Sequence, residues 1–255
     1  MIIYMLLVAH LLADFTFQST KMADNKEKGV KFVAVHSFVY AAVFLVPFLG
    51  FVKLENIIFP YIVIVGSHFL IDWLRQIIED KFSGKGTAFI IFILDQVLHI
   101  AIIFAVFENF VLSGNAVLRY CQGLPHFDTL LVYTLIFVSI WDPAAVFIKK
   151  LFIYMSSNKG EQESSKEDEK GTKGRNLKEE DPKIGRTIGK LERLIIVVLV
   201  LYDQFGAIGF VLTAKSIARY EQLKEQEFAE RYLVGTLAST AISLIVTIFL
   251  KSIYT

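Results

Sequence analysis

Apolar runs close to 20 residues long recur along this chain, and about 20 is the length an α-helix needs to cross the hydrocarbon of a bilayer. The chain has 255 residues, is 55% hydrophobic and has a mean hydropathy of +0.54. An ordinary soluble domain is nearer 45–50% apolar. The pattern predicts an all-α fold, a polytopic membrane bundle of about seven transmembrane helices. The expected spans are residues 2–17, 30–52, 57–77, 87–107, one starting near 129, 191–214 and 232–249. The first is short. The fifth meets Asp142-Pro143, and proline in a helix interior removes a hydrogen bond. Either it is one kinked helix to about Phe152 or, the favoured expectation, a span that ends near Trp141, followed by AAVFIKKLFIYM lying at the interface with Lys149 and Lys150 at headgroup level.

From Ser156 the composition changes abruptly. Residues 156–183 carry 7 basic and 8 acidic side chains and almost no large apolar ones. Such a segment cannot bury enough surface to fold and is expected to be a disordered cytoplasmic linker. It divides a membrane unit, 1–155, from a two-span unit, 184–255. Cys121 is the single cysteine, which excludes an intrachain disulfide and a thiolate metal site. The net charge of +1 gives no basic patch for nucleic acid. The first 15 residues do not read as a signal peptide, because His10 and Asp14 interrupt the apolar run.

Loop charge sets the expected orientation. Lys21, Lys26, Lys28 and Lys31 follow the first span; Arg75, Lys81 and Lys85 follow the third; Lys149, Lys150, Lys183, Arg186 and Lys190 flank the linker. Positive-inside then places the N-terminus outside and the C-terminus inside, in the cytoplasmic membrane. The stretch from Lys215 to Arg231 resists this, since it would face outward with four basic residues.

Within these apolar runs sit three His/Asp pairs, His10/Asp14, His68/Asp72 and Asp95/His99, each four residues apart. That spacing puts both side chains on one helix face. A further histidine, His36, lies in VAVHSFVY. An ionisable residue at the centre of a membrane helix costs roughly 2.5–3.5 kcal/mol on insertion scales, so seven of them need compensation. Antiparallel neighbours bring all seven to one depth, about 5–18 Å from a single membrane face. Histidine with carboxylate is also a ligand set for zinc-like ions. His10, Asp14, His36, His68, Asp72, Asp95 and His99 are therefore the candidate metal ligands, for a divalent cation of the zinc type. Gln18 and Gln96 are expected to support them by hydrogen bonding. His126 lies in a loop and is set aside.

There is no HExxH, P-loop or GxSxG sequence, and the helices lack the Glu-rich pattern of di-iron bundles. In the second unit Asp203, expected near the middle of the sixth span, is a further candidate. Gly206 and Gly209 permit close helix approach. Glu192-Arg193 is expected at headgroup level, with Arg193 snorkelling.

AHLLADFTFQ, Asn25-Lys26, HSFVY, SHFLID and LDQVLH resemble an uncharacterised family of bacterial integral membrane proteins, a domain of unknown function covering roughly the first half of the chain. GRTIGKLERLIIV, FGAIGFVLTAKSIARY and FAERYLVGTLAS resemble the C-terminal extension of its longer members. A weaker resemblance is to bacterial inner-membrane proteins predicted to be metal-dependent hydrolases. The resemblance implies membrane location and the motif positions, not a reaction. Asp203 departs from it, since a small residue is expected before Gln204.

The leading functional expectation is a metal-dependent hydrolase acting on a lipid-type ester or phosphoester, with a non-ligating aspartate or His36 as general base. The alternatives are a proton- or metal-handling transporter or sensor, in which Asp203 takes part, and a membrane scaffold locked by polar pairs. Membrane lipid is the expected partner, nucleic acid is not, and homo-oligomerisation is left open.

Overall fold

The computed structural model describes residues 1–17, 30–82, 84–110, 112–163 and 182–254. Among them the fold is helical, apart from one isolated bridge between Val52 and Gly114. The helices are α1 (Ile2–Leu11), continued by a π turn (Leu12–Thr16), α2 (Val30–Phe51), α3 (Ile58–Lys81), α4 (Lys85–Asn109), α5 (Ala116–Gln122), α6 (Phe127–Glu163), α7 (Pro182–Leu201), α8 (Phe205–Ala218) and α9 (Gln226–Tyr254).

Among the described residues five helices are long and apolar enough to cross a membrane, Lys31–Phe51, Ile58–Lys81, Gly86–Asn109, Phe127–Ser156 and Gln226–Ile253. The expected count of about seven is reduced at two places. The helix Ile2–Thr16 reaches only about 22 Å at 1.5 Å per residue, short of a hydrocarbon core of roughly 30 Å. The expected span 191–214 is two helices, broken at Tyr202–Gln204, where Asp203 takes a positive φ of 57°. A left-handed residue cannot continue an α-helix, so the apolar run turns there.

The fifth span also differs from the favoured expectation. α6 runs unbroken through Pro143 to Glu163, so AAVFIKKLFIYM continues the spanning helix and is not a separate interfacial segment. Proline withdraws the N–H that would bond the Ser139 carbonyl. Arg193 serves the next two carbonyls: its Nε donates to Ile140 O at 2.6 Å and its Nη2 to Trp141 O at 3.2 Å. Arg193 is 3% exposed, so it is buried on the proline-containing stretch and does not snorkel. α6 enters the charged stretch as far as Glu163; the rest of the expected linker up to Asp181 lies outside the described residues, as do Gln18, Lys21, Asn25, Lys26 and Lys28.

Internal contacts divide the chain into two units, Met1–Val138 with Ile153–Ser157, and Ser139–Phe152 with Asn158–Thr255. In the first unit each helix buries one stripe. On α2 it reads Val33, His36, Tyr40, Phe44, Phe48; on α3 Pro60, Ile64, His68, Asp72; on α4 Phe92, Asp95, His99, Ile103, Val106; on the first helix Leu6, His10 and Asp14. These are the 3.6-residue repeats of inward-facing helices. The same stripe that is apolar at one end of the unit is ionisable at the other, and Tyr40 marks the change. In the second unit α9 buries Ser239, Thr240, Ser243 and Thr247, with Ser243 and Thr247 hydroxyls donating to the carbonyls four residues before them.

Candidate metal centre

All seven expected ligand residues come together in the first unit, and each is at most 8% exposed. Two come from the first helix and its π turn, one from α2, two from α3 and two from α4.

One set of close approaches joins two imidazole nitrogens and two carboxylate oxygens. Nε2 of His36 lies 3.1 Å from Oδ1 of Asp14 and 3.5 Å from Oδ2 of Asp72. Nε2 of His68 lies 3.7 Å from the same Asp14 oxygen and 3.6 Å from the same Asp72 oxygen. Donors about 2.0–2.1 Å from a tetrahedral centre lie roughly 3.3–3.4 Å apart. The four observed edges straddle that separation. The donor set carries two carboxylates, whose charge a divalent cation balances. His68 Nε2 is buried without a hydrogen-bond partner, which is costly unless something else occupies its lone pair. Two groupings have donor atoms within 4.8 Å of one another and so are close enough to hold an ion: Asp14, His36 and His68, and His68, Asp72 and His99.

The other three expected ligands surround this set. Asp95 is engaged by Arg75, whose Nη1 donates to Oδ2 at 3.1 Å, while Arg75 Nε donates to Glu79 at 3.0 Å. Gln96 Nε2 bridges the carboxylates of Asp14 at 3.2 Å and Asp95 at 3.0 Å, the supporting role expected of it. His10 meets the Tyr40 hydroxyl through Nδ1 at 3.2 Å and keeps a buried, unpartnered Nε2. His99 lies 2.8 Å from His68, nitrogen to nitrogen.

Sequence reasoning missed Tyr40 and Arg75. Tyr40 stacks on His68, and Arg75 was counted as a loop charge although it lies inside α3. The signal was present. Tyr40 follows His36 by four residues, and Arg75 follows His68 by seven, each on the same helix face. His126 has a positive φ of 62° in the turn before α6. Asp203 is exposed at the break between α7 and α8 and accepts from Lys251 at 2.8 and 3.0 Å. It is not the mid-span carboxylate expected.

Residues 2–127 match a family model described as "Protein of unknown function (DUF3307)". The matched stretch contains all seven residues of the cluster and ends at the start of α6, so it does not extend over the second unit. No curated protein and no solved structure matches the chain.

Proposed function

We propose that this chain, whose residues 2–127 belong to a family of proteins of unknown function, is a metalloprotein of the cytoplasmic membrane that holds one divalent cation on Asp14, His36, His68 and Asp72. The observation that carries this reading is the set of four nitrogen-to-oxygen edges of 3.1–3.7 Å on buried side chains. Zinc is the ion we propose, since histidine nitrogens and carboxylate oxygens are donors that suit it.

The proposed chemistry is hydrolysis of a lipid-type ester or phosphoester near one membrane face. A bound divalent cation supplies a Lewis acid and makes water acidic enough to attack at neutral pH. His10 supplies the base in this scheme. Its Nδ1 is held by Tyr40, and its Nε2 is buried with no partner. Gln96 steadies Asp14 from the side of Asp95.

One observation favours a second reading, a proton- or metal-handling transporter. A continuous polar chain runs from Glu79 through Arg75, Asp95 and Gln96 to Asp14 and His36. Such chains mark ion and proton paths inside membranes.

The deciding experiment is elemental analysis of detergent-purified protein, wild type beside His68→Ala. One equivalent of metal in the wild type and none in the variant is expected. Absence of metal from wild type loaded with Zn²⁺, Mn²⁺ or Mg²⁺ would leave a polar scaffold. Turnover of lipid esters or phosphoesters, lost with His68→Ala, supports hydrolysis. Flux in vesicles without turnover on any substrate supports transport.

A further inference from the structure

His68 and His99 face each other nitrogen to nitrogen, and the proton between them can be assigned. Nδ1 of His99 lies 2.8 Å from the backbone carbonyl oxygen of Asp95, one turn earlier on α4. A carbonyl only accepts, so His99 carries its proton on Nδ1. In the neutral ring Nε2 is then an acceptor. That Nε2 lies 2.8 Å from Nδ1 of His68, which must therefore donate. The proton of His68 is thereby fixed on Nδ1, and its Nε2 is left bare. The bare nitrogen is the one that faces Asp14 Oδ1 and Asp72 Oδ2.

From this chain we infer that His99 is a positioning residue: it locks His68 in the Nδ1–H tautomer, aims the Nε2 lone pair at Asp14 and Asp72, and is not itself a metal ligand. The inference deepens the proposed metal site and rests on it for its consequence, though the tautomer itself does not. It also decides between the two donor groupings. For His99 to ligate through Nε2 it would have to abandon His68, leaving a buried Nδ1–H with no acceptor. The grouping of Asp14, His36 and His68, with Asp72 beside it, keeps every one of these hydrogen bonds. The Asp95 backbone is the fixed end of the relay, because its carbonyl is held by α4. Histidine ligands are commonly oriented through their second nitrogen, and loss of such a partner costs about 10–100-fold in metal affinity.

The test uses the full chain in detergent, with Zn²⁺ and Co²⁺ as probes and ¹⁵N-histidine labelling. In metal-free wild type, His68, identified by the signals lost in His68→Gln, should show a protonated Nδ1 and a bare Nε2. His99→Ala should release that tautomer and weaken metal binding about 10–100-fold, with stoichiometry and the number of coordinating imidazoles, read by X-ray absorption, both unchanged at saturation. His99→Gln places an acceptor amide near the position of Nε2 and should restore the tautomer and most of the affinity that His99→Ala loses. A His68 protonated on Nε2 in the wild type would overturn the inference. So would an imidazole count of three that falls to two in His99→Ala. If wild type binds neither ion, the metal reading fails separately, and the tautomer spectrum of the wild type alone decides the role of His99.

Discussion

Tyr40 lies flat against His68, with ring centroids 3.6 Å apart and planes inclined by 6°. Its hydroxyl meets Nδ1 of His10 at 3.2 Å. One aromatic residue thus bears on two histidines from different helices. It also closes the apolar core below, stacking on Phe44 with centroids 4.5 Å apart.

The two contacts of Tyr40 separate by substitution. Tyr40→Phe keeps the stack and loses only the hydroxyl, at about 0.5–1.5 kcal/mol. Tyr40→Ala removes the ring from the packed centre and should cost about 3–5 kcal/mol, together with metal affinity, since His68 loses the wall that orients it. Thermal unfolding in detergent with and without added Zn²⁺ measures both. A Tyr40→Ala protein as stable as Tyr40→Phe would show that the ring does not support His68.

Asp95 and Arg75 are expected to behave as a pair. Asp95 is buried and Arg75 half-buried, so removing either partner leaves a poorly compensated charge, and Asp95→Asn and Arg75→Gln should each destabilise, by less than the roughly 3–5 kcal/mol of a fully buried pair. The double variant should cost less than the sum, by about 0.5–3 kcal/mol. Metal stoichiometry should survive in the double variant. Additive losses, or loss of the metal with Asp95→Asn alone, would make Asp95 a donor to the ion and not a partner of Arg75.

What the sequence made legible follows from helix geometry. Asp14, Asp72, Asp95 and their histidines stood out because charge inside an apolar run is rare and the four-residue spacing gives it a face. Tyr40 and Arg75 obey the same spacing and were passed over, one because an aromatic ring reads as core, the other because arginine reads as loop. The break at Asp203 left no trace in hydropathy, since apolar residues continue on both sides of it. The unbroken course of α6 was hidden for a different reason. A proline marks a missing hydrogen bond in sequence, but not the distant guanidinium that holds the next two carbonyls.

Protons compete with a cation for imidazole, so lowering pH should release the metal. With histidine donors, apparent affinity should fall as pH is lowered, by up to about tenfold per pH unit for each donor that takes up a proton. Competition with a chelating dye over a descending pH series gives the slope. Affinity that stays flat until the protein unfolds would count against histidine donors.

Arg193 gives a test in the second unit. Arg193→Met should cost about 1–3 kcal/mol for each backbone carbonyl it deserts. Pro143→Ala returns an N–H to the Ser139 carbonyl and not to those of Ile140 and Trp141, so it should not recover that loss in the double variant. Unfolding midpoints of wild type, the two single variants and the double variant decide it. An Arg193→Met protein as stable as wild type would show that other groups satisfy the two carbonyls.

The π turn at Leu12–Thr16 closes with the N–H of Phe17 on the carbonyl of Leu12 at 2.8 Å, a five-residue step where an α-helix would take four. Such a turn amounts to one residue inserted into a regular helix. Asp14 sits inside it, so the direction of this carboxylate depends on chain length as well as on residue type. Deleting Leu12 or Ala13 would restore a regular helix while keeping every His and Asp, and would rotate Asp14 away from His36. The centre is thus encoded partly as a count of residues, and a relative that has lost one of them would keep the motif letters without the site.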